Sequence, residues 1–241
     1  MRVAIMQPYF FPYIGYFQLI SASSVFVLHD DVQYITGGWV NRNRILLNGQ
    51  DRMITFPVQK ADYALPVNAR SYVSSGREVR HIINQVKQAY AKAPCYRQVL
   101  PMVEELLMFE DRNVAHLNEN LIRRICEFIG IGTSIITSSA LAKDDSLRGQ
   151  DRVLDICKRV GATEYANPIG GTKLYRQEAF QRCGMTLRFL AAQEERYQQL
   201  GDRWIPFLSI IDVLMFNSVA EVQNLLTRYR LLTPSEIDAQ P

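Results

Sequence analysis

Two carboxylates and an imidazole stand together in the segment His29-Asp30-Asp31, directly after a short apolar run. A carboxylate at such a point could act as a general base, hold a divalent metal ion or bind the hydroxyl groups of a sugar. His29 could act with it as an acid–base partner. Because adjacent residues of an extended chain point in opposite directions, we expect only one of Asp30 and Asp31 to face a cleft. The alternative interpretation is a pair of turn residues beside a packed histidine.

A second group of binding residues is predicted near the end of an earlier apolar run, at Gln7. A glutamine amide both donates and accepts hydrogen bonds, which suits a sugar hydroxyl or the edge of a nucleobase. Aromatic rings follow it, and their faces suit stacking on a base or a sugar, although for most of them packing in the core is the simpler interpretation. The candidate binding residues in this loop and the next are Gln7, Tyr9, Gln33 and Trp39.

The segment Asn41-Arg42-Asn43-Arg44 leads into a predicted strand. On an extended chain Arg42 and Arg44 fall on one face, and Asn41 and Asn43 fall on the other. Two arginines on one face suit bidentate binding of phosphate groups, and the alternative is a pair of solvated arginines at a sheet edge. The preceding Gly37-Gly38 indicates a mobile or tightly turned approach, which suits a lid.

The later candidates are less specific. The run Gly170-Gly171-Thr172-Lys173 lacks the spacing of a G-x-x-x-x-G-K-[ST] phosphate loop, but its backbone amides could line an anion site at a helix start. Ser138-Ser139 follows a predicted strand and is equally open to interpretation. Asp212 stands in an apolar helix and needs a partner if it is buried, so it is either structural or at the floor of a site. These later candidates are Gly170, Gly171, Lys173, Tyr175, Ser209 and Asp212.

The composition permits a sizeable core and narrows the class of protein. Of the 241 residues, 48% are hydrophobic, and the net charge of +3 is scattered along the chain, which does not indicate nucleic-acid binding. The four cysteines form no C-x-x-C pair, and the sequence carries no signature of a metal or of a tightly bound cofactor. Because no apolar run reaches the length of a membrane span and no secretory signal is present, we expect a cytoplasmic protein.

Short strands alternate with helices along the chain. Apolar residues at helical spacing predict three helices between 78 and 129, with Asn113 as the N-cap of the third and Gly130 as its C-terminal glycine. This order favours an α/β fold with a mostly parallel, Rossmann-like sheet, in a single domain that spans 1–241 and carries an inserted helical lobe at about 76–130. The strands of this sheet are predicted at 2–6, 25–28, 134–137, 164–166 and 186–190.

Three local details of the prediction can be checked. Asn48-Gly49 between two apolar runs indicates a β-hairpin, with a loop that we expect to be longer than two residues. A helix is predicted over Phe207–Phe216, and Ser218 with Glu221 predicts a capping box at the next one. From Thr233 onwards the tail is polar and is predicted to fray.

Several longer stretches of the chain resemble one protein family. They are V-A-I-M-Q-P-Y-F-F-P-Y-I-G-Y-F-Q-L-I at 3–20, V-F-V-L-H-D-D-V-Q-Y at 25–34, W-V-N-R-N-R-I at 39–45 and F-L-S-I-I-D-V-L at 207–214. These runs resemble the WbqC-like family. The resemblance implies an association with gene clusters for bacterial O-antigen and related surface polysaccharides, and a role in modifying an amino sugar. All the candidate residues above except Tyr9, His29 and Lys173 match the motifs of that family by position.

The sequence leaves two classes of function open. The first is a transferase, in which arginines bind the phosphates of a nucleotide-linked amino sugar. In it, Asp30 or Asp31, with His29, takes a proton from the sugar amine as that amine attacks an activated acyl donor. A nucleotidyltransferase is the alternative enzyme, by analogy of fold. The second class is a non-catalytic nucleotide-sugar-binding or scaffold protein of the same pathway, and an oligomer is compatible with either class.

Overall fold

The computed structural model describes residues 1–73, 75–193, 195–201 and 203–239. Its strands, numbered along the chain, are β1 (Arg2–Met6), β2 (Val25–Leu28), β3 (Arg42–Leu47), β4 (Gln50–Thr55), β5 (Ser134–Thr137), β6 (Glu164–Pro168), β7 (Thr186–Ala192) and β8 (Tyr229–Leu232). Its α-helices are α1 (Ile14–Ser21), α2 (Gly76–Tyr90), α3 (Tyr96–Leu107), α4 (Val114–Ile129), α5 (Gly149–Arg159), α6 (Gln177–Arg182), α7 (Ile210–Phe216), α8 (Val219–Leu226) and α9 (Pro234–Asp238).

Six of the strands form one sheet in the order β5-β2-β1-β6-β7-β8. The first five are parallel to one another, and β8 is antiparallel to β7. Numbered within the sheet alone, this is the doubly wound order 3-2-1-4-5-6, in which ligands bind outside the carboxyl ends of the strands. The predicted mostly parallel, Rossmann-like α/β fold is therefore confirmed.

The central strands β1 and β2 are buried on both faces. In β2, Phe26 and Leu28 pack into one hydrophobic cluster with α1 and α2–α4, and Val27 packs into a second cluster with α5 and α6. A strand buried on both faces appears in the sequence as a continuous apolar run, which is why these strands were visible there. Because α2–α4 share their core with the sheet, we propose that the chain forms one α/β domain in which these helices are an insertion.

The hairpin of β3 and β4 has a tighter turn than predicted. Asn48 and Gly49 alone connect the two strands, with φ angles of 53° and 71°. Two successive residues with positive φ are typical of a type I′ turn, whose twist matches that of the strands. The expectation of a longer loop was wrong, since β4 begins at Gln50, before the apolar run that follows.

The signals at the helix ends are confirmed. The side chain of Asn113 accepts hydrogen bonds from the first turn of α4, and Gly130 ends that helix with a φ of 78°. Ser218 and Glu221 form the predicted capping box at the start of α8. Such caps satisfy the backbone groups that a helix end leaves unpaired, so they set the boundaries of these helices.

Two predictions near the C-terminus were wrong. The helix expected from Phe207 begins at Ile210, because Ser209 is its N-cap and leaves the preceding residues outside the helix. The tail from Thr233 forms α9, which starts with a capping box between Thr233 and Glu236. The strand β8 before it was not predicted, and its pairing with β7 is what holds the tail against the sheet.

No helix within the described ranges is long and apolar enough to cross a membrane. The cytoplasmic location stays a prediction. The four cysteines are free thiols, and Cys126 and Cys157 are buried.

The inserted helices fix the loops at the carboxyl edge of the sheet through Asn118 of α4. Its amide nitrogen donates to the carbonyl oxygens of Pro8 and Val40, at 2.8 and 2.7 Å. Its oxygen accepts a hydrogen bond from the hydroxyl of Tyr72. Asn118 is fully buried, so these partners satisfy it completely, and one side chain joins the loop after β1 to the connection between β2 and β3.

Replacing Asn118 with alanine should lower the free energy of unfolding by about 1–3 kcal/mol, since the carbonyl of Pro8 loses its side-chain donor, while the Val40 carbonyl and the Tyr72 hydroxyl keep only each other. Urea denaturation measures the change. The exposed Asn224 on α8 is a matched control, whose replacement with alanine should change stability by less than about 0.5 kcal/mol. Equal effects of the two substitutions would contradict the role assigned to Asn118.

Candidate active site

The carboxyl ends of β2 and β5 open into a cavity of about 840 Å³, which we call the strand-end cavity. The first turn of α5 forms one of its walls. Four residues predicted from the sequence line it: His29, Asp31, Gln33 and Tyr175. The other polar residues in its lining include Ser139, Lys143, Asp145, Arg148, Gln150 and Arg152.

Of the two adjacent aspartates, Asp31 is the one that faces this cavity, and it is paired with two buried cations. Its Oδ2 atom pairs with the ammonium of Lys143 and lies 2.8 Å from Nη2 of Arg152. Burial alone would raise the pKa of Asp31, but its interactions with Lys143, Ser138 and Arg152 outweigh this effect and hold the pKa below its usual value. Asp31 is therefore ionised at neutral pH, and both of its cation partners lie on Oδ2.

His29 presents a neutral imidazole to the same cavity. Burial lowers the pKa of His29 from 6.5 to about 4. The charge of Asp31 acts to raise this pKa, and the charges of Arg152 and Lys143 offset part of that increase. Its Nε2 atom lies 3.9 Å from Oδ1 of Asp31, which is beyond hydrogen-bond distance, and both atoms are buried without a hydrogen-bond partner. A proton on Nε2 would face the carboxylate of Asp31. If His29 takes up a second proton, Asp31 is therefore already in place as its counter-ion.

Asp30 points away from the cavity and is structural. Its carboxylate accepts hydrogen bonds from the backbone amide and the hydroxyl of Ser139, and from the side chain of Asn68 at 3.3 Å. The residue is only 4% exposed. It ties the end of β2 to the segment after β5, which explains why the two adjacent aspartates differ so completely.

The predicted alternation along 41–44 is confirmed, but these residues do not line the strand-end cavity. Asn41 and Asn43 are buried and donate to backbone carbonyls. Arg42 donates to the carbonyl oxygens of Gly37 and Gly38, which ties down the segment interpreted as a lid.

A second cleft, of about 130 Å³, lies at the loop after β1. Tyr9, Trp39 and Phe207 are among its walls, and the last two are 41% and 52% exposed. Arg44 also lines it, where its guanidinium donates to the carbonyl of Phe207 and pairs with Asp51. The structure thus places Tyr9 and Trp39 in a different cleft from His29 and Asp31.

The glycine-rich run at 169–174 forms a 3₁₀ helix. Gly171 is required there, because a Cβ atom would lie 2.1 Å from the side-chain oxygen of Asn167. Gly170 and Lys173 line neither of the two clefts, and neither does Gln7, whose carbonyl accepts a hydrogen bond from Tyr16. Tyr175, which follows the run, does reach the strand-end cavity.

Ser209 and Asp212 have structural partners. Ser209 caps α7 and donates to the carbonyl of Phe11. Asp212 is fully buried and accepts hydrogen bonds from Tyr90, Tyr197 and Gln199, at 3.0, 2.7 and 2.9 Å. Burial raises the pKa of Asp212 against the effect of these donors. Asp212 therefore has the hydrogen-bond partners that its burial requires, and it does not line the strand-end cavity.

Sequence reasoning missed the three cations of the cavity, Lys143, Arg148 and Arg152. They lie between the end of β5 and the second turn of α5, in a segment interpreted only as a loop and a helix. The signal that could have found them is position, because a loop that follows a parallel strand opens on the same edge as the loop after β2.

The fold and this cavity define a Rossmann-like α/β protein with a charged site at the carboxyl edge of its sheet. The chain belongs to the WbqC-like protein family, which it matches over residues 7–224. It is 27% identical over 227 residues to the uncharacterized protein Rv1507c of Mycobacterium tuberculosis, in an alignment that covers 93% of this chain and 97% of that protein. No solved structure is a significant match.

The low pKa of His29 makes stability depend on pH. Between pH 6.5 and about 4 the unfolded chain binds a proton at this position that the folded chain does not, so the free energy of unfolding falls as the pH falls. We expect the His29→Gln variant to lack this contribution, so its stability relative to the native protein should improve by about 3 kcal/mol from pH 7 to pH 4.

Urea denaturation across this pH range measures the difference. His81 is exposed, and the His81→Gln variant should follow the native pH profile. Parallel profiles for the native protein and His29→Gln would show that the imidazole is not buried in its neutral form.

Proposed function

We propose that this chain is a transferase of bacterial surface-polysaccharide (O-antigen) biosynthesis that acylates or aminoacylates the amine of a nucleotide-linked amino sugar. Membership of the WbqC-like family supports the pathway. The observation that carries the chemistry is the neutral His29, whose imidazole lines the strand-end cavity with its Nε2 atom towards Asp31. A base held next to a fixed carboxylate is the arrangement that activates a nucleophile in acyl transfer.

In this reaction the amine of the sugar attacks the carbonyl carbon of an activated acyl donor. The new carbon–nitrogen bond forms, and the bond between that carbon and the leaving group breaks. His29 takes the proton that the amine loses and then gives it to the leaving group. Both substrates must lie in the cavity together, and holding them there supplies much of the acceleration.

The roles of the two aspartates differ from those expected from the sequence. Asp31 is too strongly paired to act as the base, but its unpartnered Oδ1 atom stabilises the imidazolium that forms when His29 is protonated. Asp30 supports the reaction only indirectly, because it holds Ser139 and the end of β5 in place.

The His29→Gln variant should lose amide formation by about 10²–10⁴-fold, the usual contribution of a general base. The assay incubates the protein with UDP- and dTDP-linked amino sugars and with acyl-CoA or aminoacyl donors, and detects the amide by mass spectrometry. His81→Gln is the matched control, since it removes an exposed histidine outside the cavity, and it should retain full turnover.

Full turnover by His29→Gln would contradict the assigned mechanism. Tight binding of the nucleotide sugar with no turnover for any donor would support the non-catalytic binding protein instead. Release of pyrophosphate from a nucleoside triphosphate, dependent on Mg²⁺, would support the nucleotidyltransferase.

A further inference from the structure

Helix α5 begins at the strand-end cavity without a side-chain cap. Its N-cap residue is Arg148, which has an extended backbone and makes no capping hydrogen bond. An arginine has no acceptor atom, so it cannot satisfy the amides of the first turn as serine or aspartate would. Gly149 and Gln150 place this turn, with its unpaired amides and partial positive charge, in the wall of the cavity.

A buried guanidinium stands one turn further along the same helix. The side chain of Arg152 is 8% exposed, and it lines the cavity. Its Nη2 atom donates to Asp31, but its Nε atom is buried and has no hydrogen-bond partner. A buried donor without a partner costs stability, and an acceptor brought by a ligand would remove that cost.

The charges around this wall leave a positive surplus. Lys143 and Arg152 share Asp31, and Asp145 lies 3.3 and 3.7 Å from them. Arg148 donates to the backbone carbonyls of Asp145 and Leu147, and no carboxylate of a described residue lies within ion-pair distance of it. Among the residues that line the cavity, three cations therefore face two carboxylates, and Asp151, which also lies in the first turn of α5, is not part of this lining.

We propose that the start of α5, with Arg148 and Arg152, is a subsite for a phosphate or diphosphate group. The first-turn amides bind its oxygens, Arg148 closes over it from the solvent side, and Arg152 supports it from the buried side. Gly149 suits this position because the space where a Cβ atom would lie is empty, so an anion can approach the backbone. That the group is the diphosphate of a nucleotide sugar rests on the proposed function.

The test measures binding of inorganic pyrophosphate by calorimetry and by thermal shift at low ionic strength, where charge is screened least. Pyrophosphate should raise the melting temperature of the native protein, because it binds the folded state alone. The Arg148→Gln variant, which removes the charge, should bind pyrophosphate about tenfold more weakly. Arg182 is an exposed arginine at the far end of α6, and Arg182→Gln should bind like the native protein.

A second variant separates binding from folding. Arg148→Ser supplies a side-chain cap to α5, so in the absence of ligand its melting temperature should rise, while pyrophosphate binding should weaken because the hydroxyl occupies an amide. A melting temperature that rises together with undiminished binding would overturn the subsite. So would the absence of any pyrophosphate shift in the native protein, or equal binding by Arg148→Gln and Arg182→Gln.

The source of the phosphate group is tested with UDP-N-acetylglucosamine, UDP and free N-acetylglucosamine. If the subsite takes the diphosphate of a nucleotide sugar, both UDP compounds should bind and the free sugar should not. The Arg148→Gln substitution should then weaken the binding of both UDP compounds by the same factor as the binding of pyrophosphate. Binding of pyrophosphate alone would keep the anion subsite and reject its assignment to a nucleotide sugar. The pyrophosphate measurements require no turnover, so a failure of the proposed transfer reaction would not change the result for the anion subsite.

Discussion

The ion pairs of Asp31 with Lys143 and Arg152 hold together the part of the molecule on which the site depends. They join the end of β2 to the segment after β5 and to the second turn of α5, across the edge of the sheet. Breaking such a buried cluster from one side leaves an uncompensated charge, which costs several kcal/mol. Burial, aided by the charges of Arg152 and Lys143 against that of Asp31, keeps His29 neutral, and the cluster leaves one oxygen of Asp31 facing the imidazole.

The loops around this cluster are positioned by buried polar side chains on either side. Asp30 holds Ser139, and Asn118 on the inserted helix α4 holds the carbonyls of Pro8 and Val40. Because loops at strand ends carry unpaired backbone groups, they need such partners to keep one conformation. The inserted helices thus have a physical role, which is to fix the connections that leave the sheet.

Much of the fold was predictable because it depends on local signals. Continuous apolar runs marked β1 and β2, and caps such as Asn113 marked helix ends. The site was only half predictable. His29 and Asp31 were found because they follow a strand, but Arg148 and Arg152 were missed, since an ordinary amphipathic helix gives no sign of what its first turn faces. The sequence also did not show that Tyr90 donates to Asp212 or that Arg44 donates to the carbonyl of Phe207, because these partners are distant along the chain.

The central claim is that the strand-end cavity binds substrate beside a neutral His29. The chain has three histidines, so the imidazole signals in a nuclear magnetic resonance spectrum of isotope-labelled protein can be assigned with the His29→Gln variant. We would record them at neutral pH while a UDP-linked amino sugar is added. We expect the His29 signals to be those of a neutral ring at the start and to shift as the sugar binds, while the signals of His81 and His116 stay fixed. A His29 signal that is already protonated, or that does not move as the ligand binds, would contradict it.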